Sequence, residues 1–210
     1  MAQILIPNNG DFASVSKLFV GAQQADADAL AEAVDITFDE DSFLKVDGMA
    51  YLTAKCLNLA QAGTKISVGG DTNIVSYLNR MDFHTHLNLD QANLPRRPEH
   101  GRFLPIMLIN SFEDVHGASS SICDLVVRQF DDARRFIPAM EWAVNELIDN
   151  IVNHAESPVP GVVCAQFYKK INRLEVAICD MGKGIRGSLA TGHQINSHQH
   201  ALEEAIKRGV

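Results

Sequence analysis

No stretch of this chain approaches the roughly 20 consecutive apolar residues of a membrane-spanning helix, so no membrane span is expected. The opening Met-Ala-Gln-Ile-Leu-Ile-Pro has neither the basic flank nor the cleavage pattern of a signal peptide. Positive charge is scarce. With 18 Lys and Arg against 26 Asp and Glu, the net charge is −8, which argues against a broad electrostatic hold on nucleic acid. The four cysteines, Cys56, Cys123, Cys164 and Cys179, are scattered in apolar contexts with no Cys-x-x-Cys pair, and read as reduced core thiols. The motifs His84-x-His86 and His193 with His198-x-His200 lack a cysteine or paired acids at ligand spacing, so neither predicts a metal site. There is no internal repeat and no low-complexity tract. What remains is a 210-residue chain, 46% hydrophobic, able to bury one large core or two small ones. The expectation is a soluble, cytoplasmic protein.

One further absence is local. No Lys or Arg occurs between Arg135 and Lys169, yet this span holds Glu146-Leu-Ile-Asp-Asn150-Ile-Val-Asn153-His154. On a straight helix turning about 100° per residue from Glu146, Asn150 falls at about +40°, Asn153 at about −20° and His154 at about +80°. Asn145 and Asp149 share that side. Met140, Val144, Leu147, Ile148, Ile151, Val152 and Ala155 fill the opposite arc, the apolar stripe of a helix packed on a core. Solvated helix faces favour Lys and Glu pairs. A face of Asn, Asp, Glu and His without basic residues suits a cation better. Magnesium takes one or two oxygen ligands from protein, so the Asn150 carbonyl can suffice. Glu146, one turn earlier, is placed to orient or deprotonate a water.

A second segment completes the inventory. The strand-like run Leu174-Glu-Val-Ala-Ile-Cys179 ends in Asp180-Met-Gly182-Lys-Gly184-Ile185. An ionised Asp180 only accepts hydrogen bonds, which suits an exocyclic amine. Gly182 and Gly184 offer bare backbone and free access to positive φ. Taken alone, Asp-x-Gly-x-Gly reads equally as an ordinary turn.

Together, Glu-x-x-x-Asn-x-x-x-His and Asp-x-Gly-x-Gly-Ile resemble the N-box and first glycine box of the GHKL ATPases, which include gyrase, MutL, histidine kinases and anti-sigma-factor kinases. The resemblance covers roughly 95–210 and is densest over 141–186. It implies a Bergerat fold binding ATP and magnesium, with Glu146 as general base, Asn150 on the metal and Asp180 on adenine. It also implies that Asn153, His154, Gly182, Gly184 and Ile185 line the nucleotide. In that family a lid and a second glycine-rich phosphate loop follow. Here the only glycines after Gly187 are Gly192 and Gly209, and no second glycine box precedes Val210. The resemblance therefore predicts a truncated Bergerat domain that holds adenine but lacks much of the phosphate grip. The histidines near 193–200 would fall in the lid.

The first half alternates strands (Ile4–Ile6, Val34–Phe38, Lys65–Val68) with helical patterns (Phe12–Gln24, Gly48–Ala62, Thr72–Met81), and Asp71 is placed to cap the last helix. Such alternation predicts a small α/β layer. Prolines, asparagines and a glycine over 88–102 mark a linker, before Phe103–Ile109 restarts a strand. Two domains are expected, 1–94 and 95–210. The fold class is α/β in the two-layer α+β sense. The first domain is similar to the STAS domains of anti-sigma-factor antagonists, in Phe43-Leu-Lys-Val-Asp47-Gly48-Met-Ala-Tyr-Leu and Tyr77-Leu-Asn-Arg-Met-Asp-Phe83. Where that family carries a phosphorylatable serine, this chain has Val46 and Asp47. The fixed Asp charge reads either as a mimic of the phosphorylated state or as a capping carboxylate ahead of Gly48.

Two functions follow as expectations. The first is a magnesium–ATP module of a bacterial-type regulatory protein that, when complete, hydrolyses ATP or passes phosphoryl to a protein partner, as an ATPase or anti-sigma-factor-like serine kinase does, with this truncated chain expected to be inactive. The second is a non-catalytic adaptor whose site binds nucleotide weakly or not at all. A protein partner is expected in both, a homodimer is compatible with both, and neither involves nucleic acid or membrane. A sensor histidine kinase is disfavoured, because the setting of His116, the nearest candidate acceptor, reads as a helix entry rather than as a dimerisation helix.

Overall fold

In the computed structural model the chain is described over residues 1–39, 42–90, 95–190, 192 and 194–207. Its elements run β1 (Ala2–Ile6), β2 (Asn9–Gly10), α1 (Phe12–Ala25), α2 (Ala27–Glu32), β3 (Ala33–Phe38), β4 (Phe43–Leu44), α3 (Val46–Gln61), β5 (Lys65–Val68), α4 (Thr72–Arg80) and α5 (Phe83–His86). The second half adds β6 (Phe103–Ile109), α6 (Phe112–Gln129), α7 (Ile137–Asn150), β7 (Gly161–Tyr168), β8 (Arg173–Cys179), α8 (Gly184–Leu189) and α9 (His198–Ala205). The fold is α+β.

The first half is built on a parallel sheet of order β1-β3-β5. Parallel neighbours need crossovers, and α1 with α2, then α3, supply them. Strand β3 alternates half-buried and buried residues, with Val34, Ile36 and Phe38 inward. Helix starts are capped as their sequences require. Asp11 Oδ1 accepts from Ser14 N at 2.9 Å, and Asp71 Oδ1 accepts from Asn73 N and Ile74 N at 2.8 and 2.9 Å. Asp47 caps in a different way. Its Oδ1 accepts from Gly48 N at 2.9 Å and its Oδ2 from Phe12 N at 3.2 Å, tying the start of α3 to the start of α1. Gly48 is needed there, because a Cβ would lie 2.0 Å from the Gly10 carbonyl oxygen.

The second half is an antiparallel sheet of order β6-β7-β8. Strand β7 is buried on both faces, so it reads as a continuous apolar run rather than an alternation. Edge strand β6 contains Pro105, and the register shifts between Leu104 and Met107. Ile106 N, freed from the ladder, donates to Met81 O at 3.1 Å.

The two sheets do not merge, and 91–94, at the expected domain junction, lie outside the described residues. The apolar interior nevertheless crosses that junction. Helix α3 packs on β5, β7 and β8, and one cluster runs from Ile4 and Met49 through to Ile106, Val162, Cys164 and Ala177. Tyr77 OH donates to Gln166 Oε1 at 2.9 Å across the same contact. The sheet's other face (Ile109, Val163) meets α6 at Val115, Ala118 and Ile122, and α7 joins this second cluster through Ile148. The order of layers is therefore α3, sheet, α6, with α7 against α6. His116 lies inside α6, one turn past its start. The helix begins at Ser111, whose hydroxyl and Asp114 form a reciprocal capping box. Among the described residues no helix is long and apolar enough to cross a membrane.

Candidate functional site

Three features place α7 and its continuation. A single 3₁₀ turn at Ala133–Arg135 leads in, Pro138 occupies the first turn, and Ile148 is the residue buried completely. Because α7 rests on α6 rather than flat on the sheet, its inward arc is turned from the one the periodicity predicts. Leu147, expected inside, is 57% exposed. Asn145, expected on the polar side, is half-buried with its side-chain oxygen enclosed. Met140, Val144 and Ile151 do pack into the cluster.

The helix also does not stay straight to residue 155. Ile151–Ala155 form a π turn, which ends at Glu156 with φ +48°. A π turn advances each residue through a smaller angle than an α turn. The positions expected for Asn153 and His154 at a constant 100° per residue therefore do not carry over. Glu146, Asn150, Asn153 and His154 are all exposed.

Two glycines seat this wide turn against the sheet. A Cβ at Gly161 would lie 2.6 Å from Ile151 Cδ1, and one at Gly182 would lie 2.1 Å from the Ala155 carbonyl oxygen. Val162 pairs with Cys179 across β7 and β8, so Gly161 and Asp180 stand at neighbouring strand ends. Here the helix end and the Asp-x-Gly-x-Gly loop meet. Lys183 N donates to Ala155 O at 2.8 Å, and Met181 N donates to Ser157 Oγ at 3.3 Å. Lys183 Nζ bonds Glu156 Oε1 at 2.5 Å. Ala155, Glu156, Ser157 and Lys183 are thus the residues that join the two motifs. Sequence reasoning missed them, because only Gly182 hinted that backbone would approach so closely.

Within the loop, Asp180 is exposed and its Oδ1 accepts from Gly182 N at 2.8 Å, an Asx turn. Its Oδ2 takes no part in that bond. Gly184 has φ +64° with no atom within 4 Å of where a Cβ would stand, so its backbone faces open space. Ile185 is 47% exposed. Burial, with the charge of Asp180 added, lifts the Cys179 thiol to about 11, and burial lifts Cys56 to about 12. Cys123 and Cys164 are raised by the same cause, so all four free thiols stay protonated at neutral pH.

Among the described residues there are clefts of about 280 and 260 Å³, and neither is lined by a residue of the expected nucleotide set. The first lies beside the π turn, between Ile109, Asn110, Ile151, Val152, Glu156 and Ser157. Among the described residues no three His, Cys, Asp or Glu side chains are grouped to hold a metal. His198 and His200 fall in α9, where His200 Nε2 stands 3.3 Å from Glu204. His193, Gly209 and Val210 lie outside the described residues. No protein-family model, curated protein or solved structure matches this chain.

Proposed function

We propose that the chain carries the nucleotide site of a GHKL-type module, a Bergerat-like layer behind a STAS-like domain, that binds magnesium–ATP within a regulatory protein. The observation that supports it is the seating of the glycine loop on the helix end through Gly182 and Ala155. That contact brings the Glu146–His154 segment and the Asp180–Ile185 segment into one neighbourhood, although about 25 residues of chain separate them.

The donor set fits the ligand. Asn150 offers an exposed carboxamide oxygen to magnesium, a hard cation that keeps most of its ligands from water and phosphate. Asp180 Oδ2 offers an anionic acceptor to the adenine amine, while Oδ1 holds the turn. Gly184 presents open backbone at positive φ. Asn153, His154 and Ile185 border the same end of the helix and loop. Bound magnesium would supply charge neutralisation at the phosphates. Glu146 would accept the proton of an attacking water or of a partner's hydroxyl. The site is cytoplasmic in this reading.

Calorimetric titration with magnesium–ATP and magnesium–GTP tests the reading. Saturable heat for ATP that weakens when EDTA removes the metal is the expected outcome. No saturable heat at millimolar ATP would remove the nucleotide from the function.

A second reading, a protein-binding adaptor, is favoured by α7 and its N-cap. Phe136, Trp142 and Leu147 are 58, 67 and 57% exposed, three large apolar side chains around one short helix. In that case the titration stays flat while the folded chain still captures its protein partner.

A further inference from the structure

Among the described residues of α7, Ile148 alone is buried. The helix is regular over Ile137–Asn150, so its outward side can be laid out by angle. Taken from Glu146 at about 100° per residue, Trp142 falls at about −40°, Ala139 at about +20° and Ala143 at about +60°. All four are exposed, so one strip carries a tryptophan, two small residues and a carboxylate. Leu147, itself exposed, borders the strip at about +100°. A large apolar ring in water, next to alanines that leave room for another side chain, is the surface of a helix that packs on something further.

The charge around α7 is unevenly spread along its length. Arg134 and Arg135 stand just ahead of it, it holds no Lys or Arg of its own, and Glu141, Glu146 and Asp149 follow toward its end. Arginines at the start of a helix and acids toward its end are the reverse of the order the helix dipole favours. Arg134, Arg135 and Glu146 are all exposed. Among the described residues none of the three stands in an ion pair. Nothing within the chain therefore accounts for this order of charges.

We propose that this strip is a homodimer interface, in which α7 packs antiparallel on α7 of a second copy across a two-fold axis. Such an axis sets the basic start of each helix beside the acidic end of the other, and it opposes the two helix dipoles. Size and charge then select one register. With Trp142 over Ala139 of the second copy, one turn back from Ala139 and one turn on from Trp142 bring Arg135 opposite Glu146. Large meets small, base meets acid, and symmetry forms each contact twice. Sliding the copies until Trp142 meets Ala143 sets Glu146 opposite Ala139 and leaves the carboxylate without its arginine. One helix pair buries less than the roughly 1,600 Å² of a standard interface, so the dimer dissociates on dilution. The proposal names the occupant of the surface behind the adaptor reading and does not rest on nucleotide binding. Glu146 and Asn150 lie on the covered side, so the dimer closes the proposed nucleotide site.

The test is sedimentation equilibrium of the folded chain without nucleotide. A monomer–dimer equilibrium with a dissociation constant on the order of 1–100 µM is expected. Trp142→Ala is expected to weaken it at least tenfold. Glu146→Arg and Arg135→Glu should each do the same, because one substitution sets like charges at two symmetric contacts. The double reversal, Arg135→Glu with Glu146→Arg, exchanges the charges and is expected to return affinity to within about threefold of wild type. These side chains are exposed, so the fold is expected to hold, and circular dichroism checks each variant. A chain that remains monomeric at about 500 µM would overturn the proposal. So would single reversals that leave the dimer unchanged, or a double reversal no tighter than the single ones, since Arg135 and Glu146 would then not meet.

Discussion

Gly182 stands so close to Ala155 that a methyl group on it would lie 2.1 Å from the Ala155 carbonyl oxygen. That oxygen already accepts from Lys183 N at 2.8 Å, so neither backbone has room to withdraw without breaking the bond. Gly182→Ala is therefore expected to destabilise the fold by about 1–3 kcal/mol, the range for forced overpacking. Urea unfolding measures it. Gly184→Ala is the companion, since it meets positive φ but open space and is expected to cost about 1 kcal/mol. Equal costs at the two positions would mean that the Ala155 contact is not what makes residue 182 a glycine.

Glu146→Ala separates chemistry from binding. The side chain is exposed, so stability is expected to change by less than about 0.5 kcal/mol. If Glu146 is the base, ATP affinity stays and turnover disappears, because the proton moves only in the transition state. Steady-state hydrolysis or transfer to the partner, beside a binding titration, reads both quantities. Parallel loss of affinity and rate would make Glu146 a ligand-holding group.

Asp180→Asn tests the base-reading role. The amide oxygen can still accept from Gly182 N, so the turn and the fold are expected to survive. In the proposed site the second oxygen becomes an NH2 donor facing the adenine amine. Affinity for ATP is expected to fall by about 1–3 kcal/mol, the scale of a hydrogen bond to a charged group. Guanine presents a carbonyl at the corresponding ring position, so preference for ATP over GTP should also shrink. Competition between the two nucleotides measures this, and an unchanged preference would leave Asp180 as a turn residue only.

Asp11 predicts an acid limb in the stability curve. The Ser14 backbone N–H, then the Ser14 side chain, Asn9 and Lys45, hold its carboxyl at about 2 instead of 3.8. A carboxylate depressed in the folded state stabilises it above the unfolded value, and that contribution is lost as pH falls from 3.8 through about 2. Asp11→Asn keeps a capping oxygen and removes the charge. The difference in urea midpoint between wild type and Asp11→Asn should narrow over that interval and stay constant above it. A difference that does not vary with pH there would show that the Asp11 charge carries no linkage.

Much of this molecule was legible without coordinates. Strands β1, β3, β5, β6 and β8 follow from short β-rich runs, and α1, α3 and α4 from apolar periodicity, with capping of α4 at Asp71. These are local properties, decided by residues a few positions apart. The identity of the two polar segments, Glu146–His154 and Asp180–Ile185, is of the same kind. Their meeting is not. Gly182 reaches Ala155 because β7 and β8 pair in the register that puts Gly161 beside Asp180, a contact between residues distant in sequence. The π turn at Ile151–Ala155 is likewise not legible, since Ile-Val-Asn-His-Ala holds no Pro or Gly that would break an ordinary α turn. Burial of Asn145 and exposure of Leu147 came from α6, the neighbour that α7 rests on, and periodicity records only that one face is apolar, not how that face is aimed. Sequence determined the segments and their chemistry, because propensity and capping act over one turn or one strand. Tertiary structure decided which segments touch and at what angle, because packing and strand register depend on partners that no local window contains.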